Sequence, residues 1–495
     1  MTATPLNRIS LDQLPAVIGV PGYDPAAVTG GIVHIGLGGF HRAHMARYTH
    51  DLMALDGEAI GWGIVGAGLI ESDRALLADL EAQDRLYTLV ERDGESETAI
   101  VIGVLAGTVF AGDGSAALLE AIRQARIVSL TVTEHGYCLD RATRSLDFAH
   151  PLIVHDLAEP VDPRSAIGIL VEAYRQRMTA GAHAFTALSC DNIQHNGAML
   201  RSVVLALAGR RSPALAEWIA ANARFPSTMV DRITPVTHAT DAESLARRYG
   251  VTDRRPVFCE GFRQWVIEDD FADGRPDWDR VGVQFVCDVE PYEFMKLRLL
   301  NATHLAISGL GRLIGYNTIG ETMRDPALRG YAEALMDRET GPTLRPVPGI
   351  DLAAYKATLI ARFANPAIED TVERVNNDAA LNYLLDPIRE RLAAGESIDL
   401  LALAVAAWLR RMRGTEEAGA PIDIRHPLGA LLREKAEEGG ADPRPMLGIT
   451  ALFGDLGEDS AFVGPVARHL ESLYRQGAAA TLAALTGKPN EPQRT

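Results

Sequence analysis

From residue 30 to about residue 287 the chain alternates short apolar runs rich in β-branched residues with stretches of helical period, and beyond about 290 only the helical period continues. The β-type runs include GIVHIG at 31–36, GWGIVG at 61–66, LYTLV at 86–90 and ARIVSLTVT at 125–133. Strands separated by helical crossovers pair in parallel, so the first part predicts a largely parallel α/β sheet. AFTALSCDN at 184–192 reads as another strand with a polar exit, where open parallel sheets carry their sites. In the second part EFMKLRLLNATHLAISGLGRLI, LAAYKATLIARFA and LLALAVAAWLRRMR have apolar residues at three- and four-residue spacing, which predicts a mainly α lobe. The change of period puts the boundary near 285–290, giving domains 1–287 and 288–495. With 495 residues and 47% hydrophobic content, each lobe can bury its own core.

Composition narrows the function classes. The formal net charge of −17 repels nucleic acid and anionic membrane surfaces on average, so the expected partners are small molecules or protein, with the chain a monomer or small homo-oligomer. No apolar stretch approaches the ~20 residues of a membrane span, and MTATPLNRIS lacks the regions of a signal peptide, so a cytoplasmic location is expected. Cys138, Cys190, Cys259 and Cys287 lie far apart, which argues for packing roles over disulfides or a sulfur-bound zinc. Of 48 cationic residues only Lys296, Lys356, Lys435 and Lys488 are lysine. Arginine serves everywhere else, so the only lysine in the first 355 residues calls for chemistry that arginine cannot do, such as giving up its proton.

Three groups of residues can carry chemistry. Gly36, Gly38 and Gly39, followed by Phe40, His41 and Arg42, close the first strand with a turn that lets backbone approach a pyrophosphate at a helix N-terminus, although His41 stands where a third glycine is usual. Glu71 or Asp73, after the next strand, is the candidate acid for the adenosine ribose, a choice that disfavours NADP. Lys296, Asn301 and His304 fall on one broad helical face at about 100° per residue, Asn301 about 140° and His304 about 80° from Lys296. The leucines around them disfavour a charged ammonium; bringing it from ~10.4 to about 7–8 takes roughly 4 kcal/mol, within what burial supplies. The third group is Asp191 and Asn192 after AFTALSC, with Asp231 and Arg232 in FPSTMVDRITP. Asn192 and Asn301 can each donate an amide hydrogen bond to an oxygen gaining negative charge. His41 and His44 raise the rival possibility of a zinc site.

GLGGFHRAH at 36–44, SLTVTEHGYC at 129–138, SCDN at 189–192, FPSTMVDRITP at 225–235, FRQWVIED at 262–269, GRPDWDRVGVQF at 274–285 and MKLRLLNATH at 295–304 together resemble the mannitol dehydrogenase family of polyol-specific long-chain dehydrogenases over nearly the whole chain. The resemblance implies an α/β Rossmann-type N-terminal domain, a mostly α-helical C-terminal domain, and metal-independent, NAD-dependent chemistry (NADP being possible) at C2 of a polyol, D-mannitol to D-fructose in type. Its other substrates are ketohexuronates such as fructuronate, arabinitol and sorbitol. By position it makes Lys296 the general base, Asn192 and Asn301 the oxyanion donors and Glu293 a proton carrier. Asp231, His304 and Arg374 become ligands of substrate hydroxyls, and Gly36, Gly38, Gly39, Phe40, Arg42, Asp73 and Glu134 the cofactor contacts. The chain departs from the family after Arg374: a Gly-Ser-Ser/Gln-Lys stretch is replaced by Asn376, Asn377, Asp378, Ala379, Ala380, Leu381 and Asn382, so Asn382 stands at the family's lysine. Ala302 and Thr303 likewise replace Gly-Ser before His304. Both changes bear on the substrate.

Overall fold

The computed structural model describes residues 3–94, 96–140 and 143–486, and the tail GKPNEPQRT, read as mobile, lies outside the described residues. The chain divides into two compact units, Met1–Glu290 and Pro291–Thr495, a division three residues beyond the boundary expected from periodicity.

In the first unit five parallel strands lie in the order Leu105–Phe110, Gly63–Gly68, Gly30–Ile35, Ile127–Leu130, Thr186–Ser189. Numbered by position in the chain this is 3-2-1-4-5, the doubly wound order. Side chains alternate between faces, and both faces are covered. Val33, Ile35, Val128 and Leu130 pack into one core with helices Ala116–Gln124, Ala166–Ala180 and Asn196–Arg211, while Ile32, Ile64, Ile127 and Leu188 pack into the other with helices Met45–Leu55 and Glu71–Glu81. Chain order reverses beside Gly30–Ile35, so the carboxyl ends of that strand and of Ile127–Leu130 form the switch point where such sheets bind ligands.

One predicted strand belongs elsewhere. LYTLV lies in Tyr87–Asp93, which pairs antiparallel with Ser96–Ile102 and parallel with Val257–Glu260 in a separate four-stranded sheet. Its turn begins Asp93-Gly94, with Gly94 at φ +60°, a local hairpin signal that the alternation of runs concealed. Thr228–Asp231, Gln264–Glu268 and Gln284–Val286 make a third, three-stranded sheet. Cys138, Cys190 and Cys259 are buried, and Cys287 is exposed.

The second unit is built around helix Asp399–Arg411, buried on every side from Leu400 to Arg411 and packed on helices Ala302–Ile314 and Ser460–Thr486. Its alanines allow close approach: a Cβ added at Gly309 would lie 3.7 Å from that of Ala407. Gly311 is stricter, since a Cβ there would fall 2.2 Å from Thr322 Cγ2. Helix Ala302–Ile314 is buried from Ala302 to Leu313.

Two π-helical segments interrupt the helical pattern, Lys296–Asn301 and Met336–Thr340, and they pack against each other. In the first, the Ala302 amide donates to Leu297 O, and in the second that of Gly341 donates to Met336 O, each reaching back five residues. Glu339, in the second segment, is 3% exposed and accepts the Leu400 and Leu401 amides at 2.9 and 2.7 Å. It thus caps helix Asp399–Arg411, whose own N-cap residue, Ile398, has no acceptor to offer.

Candidate active site

The glycine turn sits at the switch point of the first unit, and its conformation demands glycine. Gly36 has φ +97°, and a Cβ on it would lie 2.2 Å from Thr131 O, because the two strand ends converge there. Gly38 is exposed and opens the helix Gly39–Ala43, so the first-turn amides of that helix are available to an anion. This cradle fits a dinucleotide pyrophosphate. Gly36→Ala is expected to weaken NADH binding about 30–100-fold, the equivalent of about 2–3 kcal/mol of left-handed strain and contact. Fluorescence titration checks this, and a folded Gly36→Ala protein that binds NADH like the parent rejects the assignment.

The residues around the turn divide into those near the cradle and those committed elsewhere. Thr133 has φ +61°, unusual for a β-branched residue, and Asp191 holds it there. Asp191 accepts the Thr133 and Val132 amides at 2.8 and 3.2 Å and the Tyr137 hydroxyl at 2.7 Å. Burial pushes its carboxyl above the usual range against these donors, so Asp191 shapes the loop that presents exposed Glu134. Asp73 Oδ2 accepts the Leu69 and Ile70 amides at 3.0 and 3.2 Å and so caps its helix, whereas exposed Glu71 is paired with Arg74 at 2.8 Å. Arg42 is turned into the core: it donates to Arg255 O at 2.5 Å and lies 5.3 Å from the Tyr87 ring centroid. Phe40 stacks on His44 at 4.9 Å.

His41 and His44 are also packed inward. His41, at the place of the missing third glycine, stacks on His34 at 3.4 Å, and His34 bonds Ser129 Oγ and Thr131 Oγ1, both at 2.8 Å. His44 Nε2 lies 2.9 Å from Gln264 O. Burial holds His34, His44 and His50 down at about 3 and His41 well below the usual imidazole range, so all four are neutral near pH 7. Asn192 is exposed at the exit of Thr186–Ser189, and Asp231, 4% exposed, ends Thr228–Asp231. Neighbouring Arg232 is committed: its guanidinium donates to Glu260 O at 3.0 and 2.8 Å and to Glu91.

In the second unit the π turn changes the geometry that a regular helix predicts. A turn closed by five-residue bonds holds about one more residue, so Asn301 comes nearly over Lys296 instead of about 140° round from it. Lys296 is 8% exposed and Glu293 7%, and Asn301 has a buried amide oxygen with no hydrogen-bond partner among the described residues. A half-turn of that amide exchanges acceptor for donor. His304 is 8% exposed, with its ring stacked on Phe363 at 4.9 Å and Nε2 3.6 Å from Asp370 Oδ2. Arg374 grips the same carboxylate with two parallel bonds of 2.7 Å and reaches Asp378 at 3.4 Å.

Asp370 was missed from sequence. A lone aspartate in a loop carries no periodic signal, and only the fold brings it to His304. The stretch that departs from the family forms helix Val372–Asp378, where Asn377 Oδ1 accepts from buried Arg411 at 2.7 Å, so one of the substituted residues has a structural partner. Asn382 is exposed at the start of helix Asn382–Ala393.

The mannitol dehydrogenase Rossmann domain matches residues 30–280 and the mannitol dehydrogenase C-terminal domain matches 288–474. Among similar proteins, D-mannonate oxidoreductase of Escherichia coli is 44% identical over 475 residues, covering 94% of this chain and 97% of the relative. Mannitol 2-dehydrogenase of Aspergillus fumigatus is 40% identical over 498 residues, covering 97% and 99%. The solved ternary complex of Pseudomonas fluorescens mannitol 2-dehydrogenase with NAD and D-mannitol is 41% identical with a TM-score of 0.88, covering 98% of this chain and all of that one. No helix among the described residues is long and apolar enough to cross a membrane. With both domains of the family matched and these relatives aligned over nearly their full length, the chain is an oxidoreductase that belongs to the mannitol dehydrogenase family.

Proposed function

We propose that this protein catalyses reversible, metal-independent oxidation at C2 of a neutral polyol with NAD, D-mannitol to D-fructose in type. The observation that carries this reading is the π turn from Lys296 to Asn301, which sets a buried lysine close to a buried amide with uncommitted hydrogen-bonding capacity. NAD, when bound, supplies the hydride acceptor. Lys296 takes the proton of the reacting hydroxyl, and the amides of Asn301 and Asn192 donate to the oxygen as its charge grows. Glu293, one turn before Lys296, passes the proton on. Asp231, His304 and Arg374 hold the remaining hydroxyls and so select configuration. Gly36, Gly38, Gly39 and Phe40 hold the nucleotide, with Asp73 and Glu134 beside it. Arg42 supports this site only through the core.

Two features support a neutral substrate. Arg374 shares its charge with Asp370 and Asp378, and Asn382 has an amide in place of the family's lysine. A carboxylated sugar would draw on an uncommitted cation. The competing reading, reduction of a ketohexuronate, is favoured by the 44% identity to a D-mannonate oxidoreductase. NADH consumption by chelator-treated protein with D-fructose, D-fructuronate, D-xylulose and L-sorbose in parallel decides between them. D-fructose is expected to be reduced best. If D-fructuronate is reduced best, the substrate is a hexuronate, and if no ketose is reduced, the reading is wrong.

A further inference from the structure

Asn192 and Asp231 are carried by different sheets. Asn192 follows Thr186–Ser189, an edge strand of the five-stranded sheet, and Asp231 ends Thr228–Asp231, an edge strand of the three-stranded one. Thr228 stands opposite Ile267, and the Glu268 amide donates to Ser227 O at 3.1 Å, so this is a pair of the non-hydrogen-bonded kind. The N–H and C=O of Thr228 therefore point away from their partner strand, and Asn196 meets both. Its Oδ1 accepts the Thr228 amide at 2.9 Å and its Nδ2 donates to Thr228 O at 2.9 Å, as a neighbouring strand would. Nδ2 also donates to Asp191 O at 3.1 Å. That carbonyl belongs to the planar peptide that leads into Asn192. Helix Asn196–Arg211 begins hard against this seam: a Cβ on Gly197 would lie 2.4 Å from Phe225 O, and Asn196 itself is 0% exposed.

We propose that Asn196 is a positioning residue for the substrate: its amide sets the spacing between the strand exit that carries Asn192 and the strand end that carries Asp231. In the proposed reaction one amide donates to the reacting oxygen while the carboxylate reads a hydroxyl elsewhere on the same polyol, and a misplacement of ~1 Å in such an arrangement costs about 10²-fold in rate. The other ties near the seam leave that spacing unset. The Thr228 hydroxyl donates to Ser189 O at 2.7 Å, but it holds the strand two residues before Asp191. The Asp191 carboxylate is gripped by Val132, Thr133 and Tyr137, which lie on one loop and not on Thr228–Asp231. Asn196 reaches both sides from one rigid planar group, so its two contacts do not drift apart.

This inference rests on the reading of Asn192 and Asp231 as substrate contacts, and the experiment separates the two. Asn196→Ala removes the bridge and changes neither contact residue. It is expected to lower kcat for polyol oxidation about 30-fold and to raise KM for the polyol about tenfold, with KM for NAD within about twofold. In the Asn192→Ala background the same change is expected to lower kcat less than about threefold, because the amide that it places is gone, while the rise in polyol KM persists through Asp231. A merely structural role would cut kcat equally in both backgrounds. An unchanged kcat in the single variant, or a full 30-fold loss in the double one, overturns the proposal. Asn196→Ser, which keeps a hydroxyl at the buried position, takes the place of the alanine variant if that one does not fold. Crystal structures give a readout that needs no turnover: Asp191 and Thr228 are expected to lie about 1 Å further apart in the variant than in the wild-type protein. An unchanged separation, or a wild-type crystal structure in which Asn196 does not bond Asp191 O, overturns the proposal whatever the substrate. If the wild-type protein oxidises no polyol, the functional reading fails, and the crystal structures alone then decide the role of Asn196.

Discussion

Lys296→Ala is expected to lower kcat for polyol oxidation by about 10²–10⁴-fold, the usual contribution of a positioned proton acceptor, with KM for NAD little changed. The lysine is 8% exposed and opens the π turn that ends at Asn301, so the variant removes the proposed base and leaves the sequence of the glycine turn unchanged. Lys296→Arg makes the sharper test. It keeps the positive charge and much of the volume, but arginine does not release its proton near neutral pH, so turnover is expected to fall as far as in the alanine variant. Small primary amines added to Lys296→Ala are expected to restore part of the rate, rising with the free-base fraction. Steady-state rates over pH 6–10 check all three. Wild-type turnover by Lys296→Arg would rule out proton abstraction here, leaving Lys296 a role in charge or packing.

Acid is expected to unfold the first unit steeply, starting near pH 6. His34, His44 and His50 are held at about 3 in the folded protein and His41 well below its ordinary value, all by burial, against about 6.5 in an unfolded chain. A folded value below the unfolded one means that the unfolded state binds more protons between the two. Stability is therefore complete above about 6.5 and falls as pH drops from there towards about 3. Each histidine costs about 1.4 kcal/mol per pH step of one, so four together remove roughly 5 kcal/mol between pH 6 and pH 5, comparable with the whole stability of many domains. Asp191 and Asp253, raised by burial, take up protons in the folded state and oppose this loss at the acid end. Calorimetric melts from pH 7.5 to 5 give the slope. A transition that does not move over that range rejects the neutral, buried state of these four rings. His34→Asn, which keeps a side chain able to bond Ser129, is expected to flatten the slope by about a quarter.

The parts of this protein that were legible in sequence are those written in local patterns. The Gly36, Gly38, Gly39 turn is legible because only glycine tolerates that backbone beside a phosphate. The two lobes are legible because strands and helices bury different periodicities. Lys296 stands out because arginine fills nearly every other cationic position, and the family motifs give it a role. The features that sequence left open are those whose meaning depends on what folds against them. Arg42 follows the glycine turn yet points at Arg255 O, because Val257–Glu260 pairs beside Tyr87–Asp93 and brings that carbonyl near. LYTLV has the composition of a strand in the main sheet, but its hairpin partner draws it into another.

For the proposed active centre, sequence by itself determined the chemistry available: one lysine able to act as a base, two amides, a histidine and a glycine cradle. Tertiary structure decided their disposition. A five-residue turn, invisible to any count at 100° per residue, brings Asn301 over Lys296, since a π segment is stabilised by packing around it and not by the propensities of KLRLLN. Asp370, without a motif of its own, reaches His304 only because the loop before Val372–Asp378 is bridged to residues 317–319. The physical reason is range: turn and periodicity preferences act over a few residues, whereas a neighbour 66 positions away is chosen by the packing of whole helices, as the 3.6 Å approach of His304 and Asp370 shows.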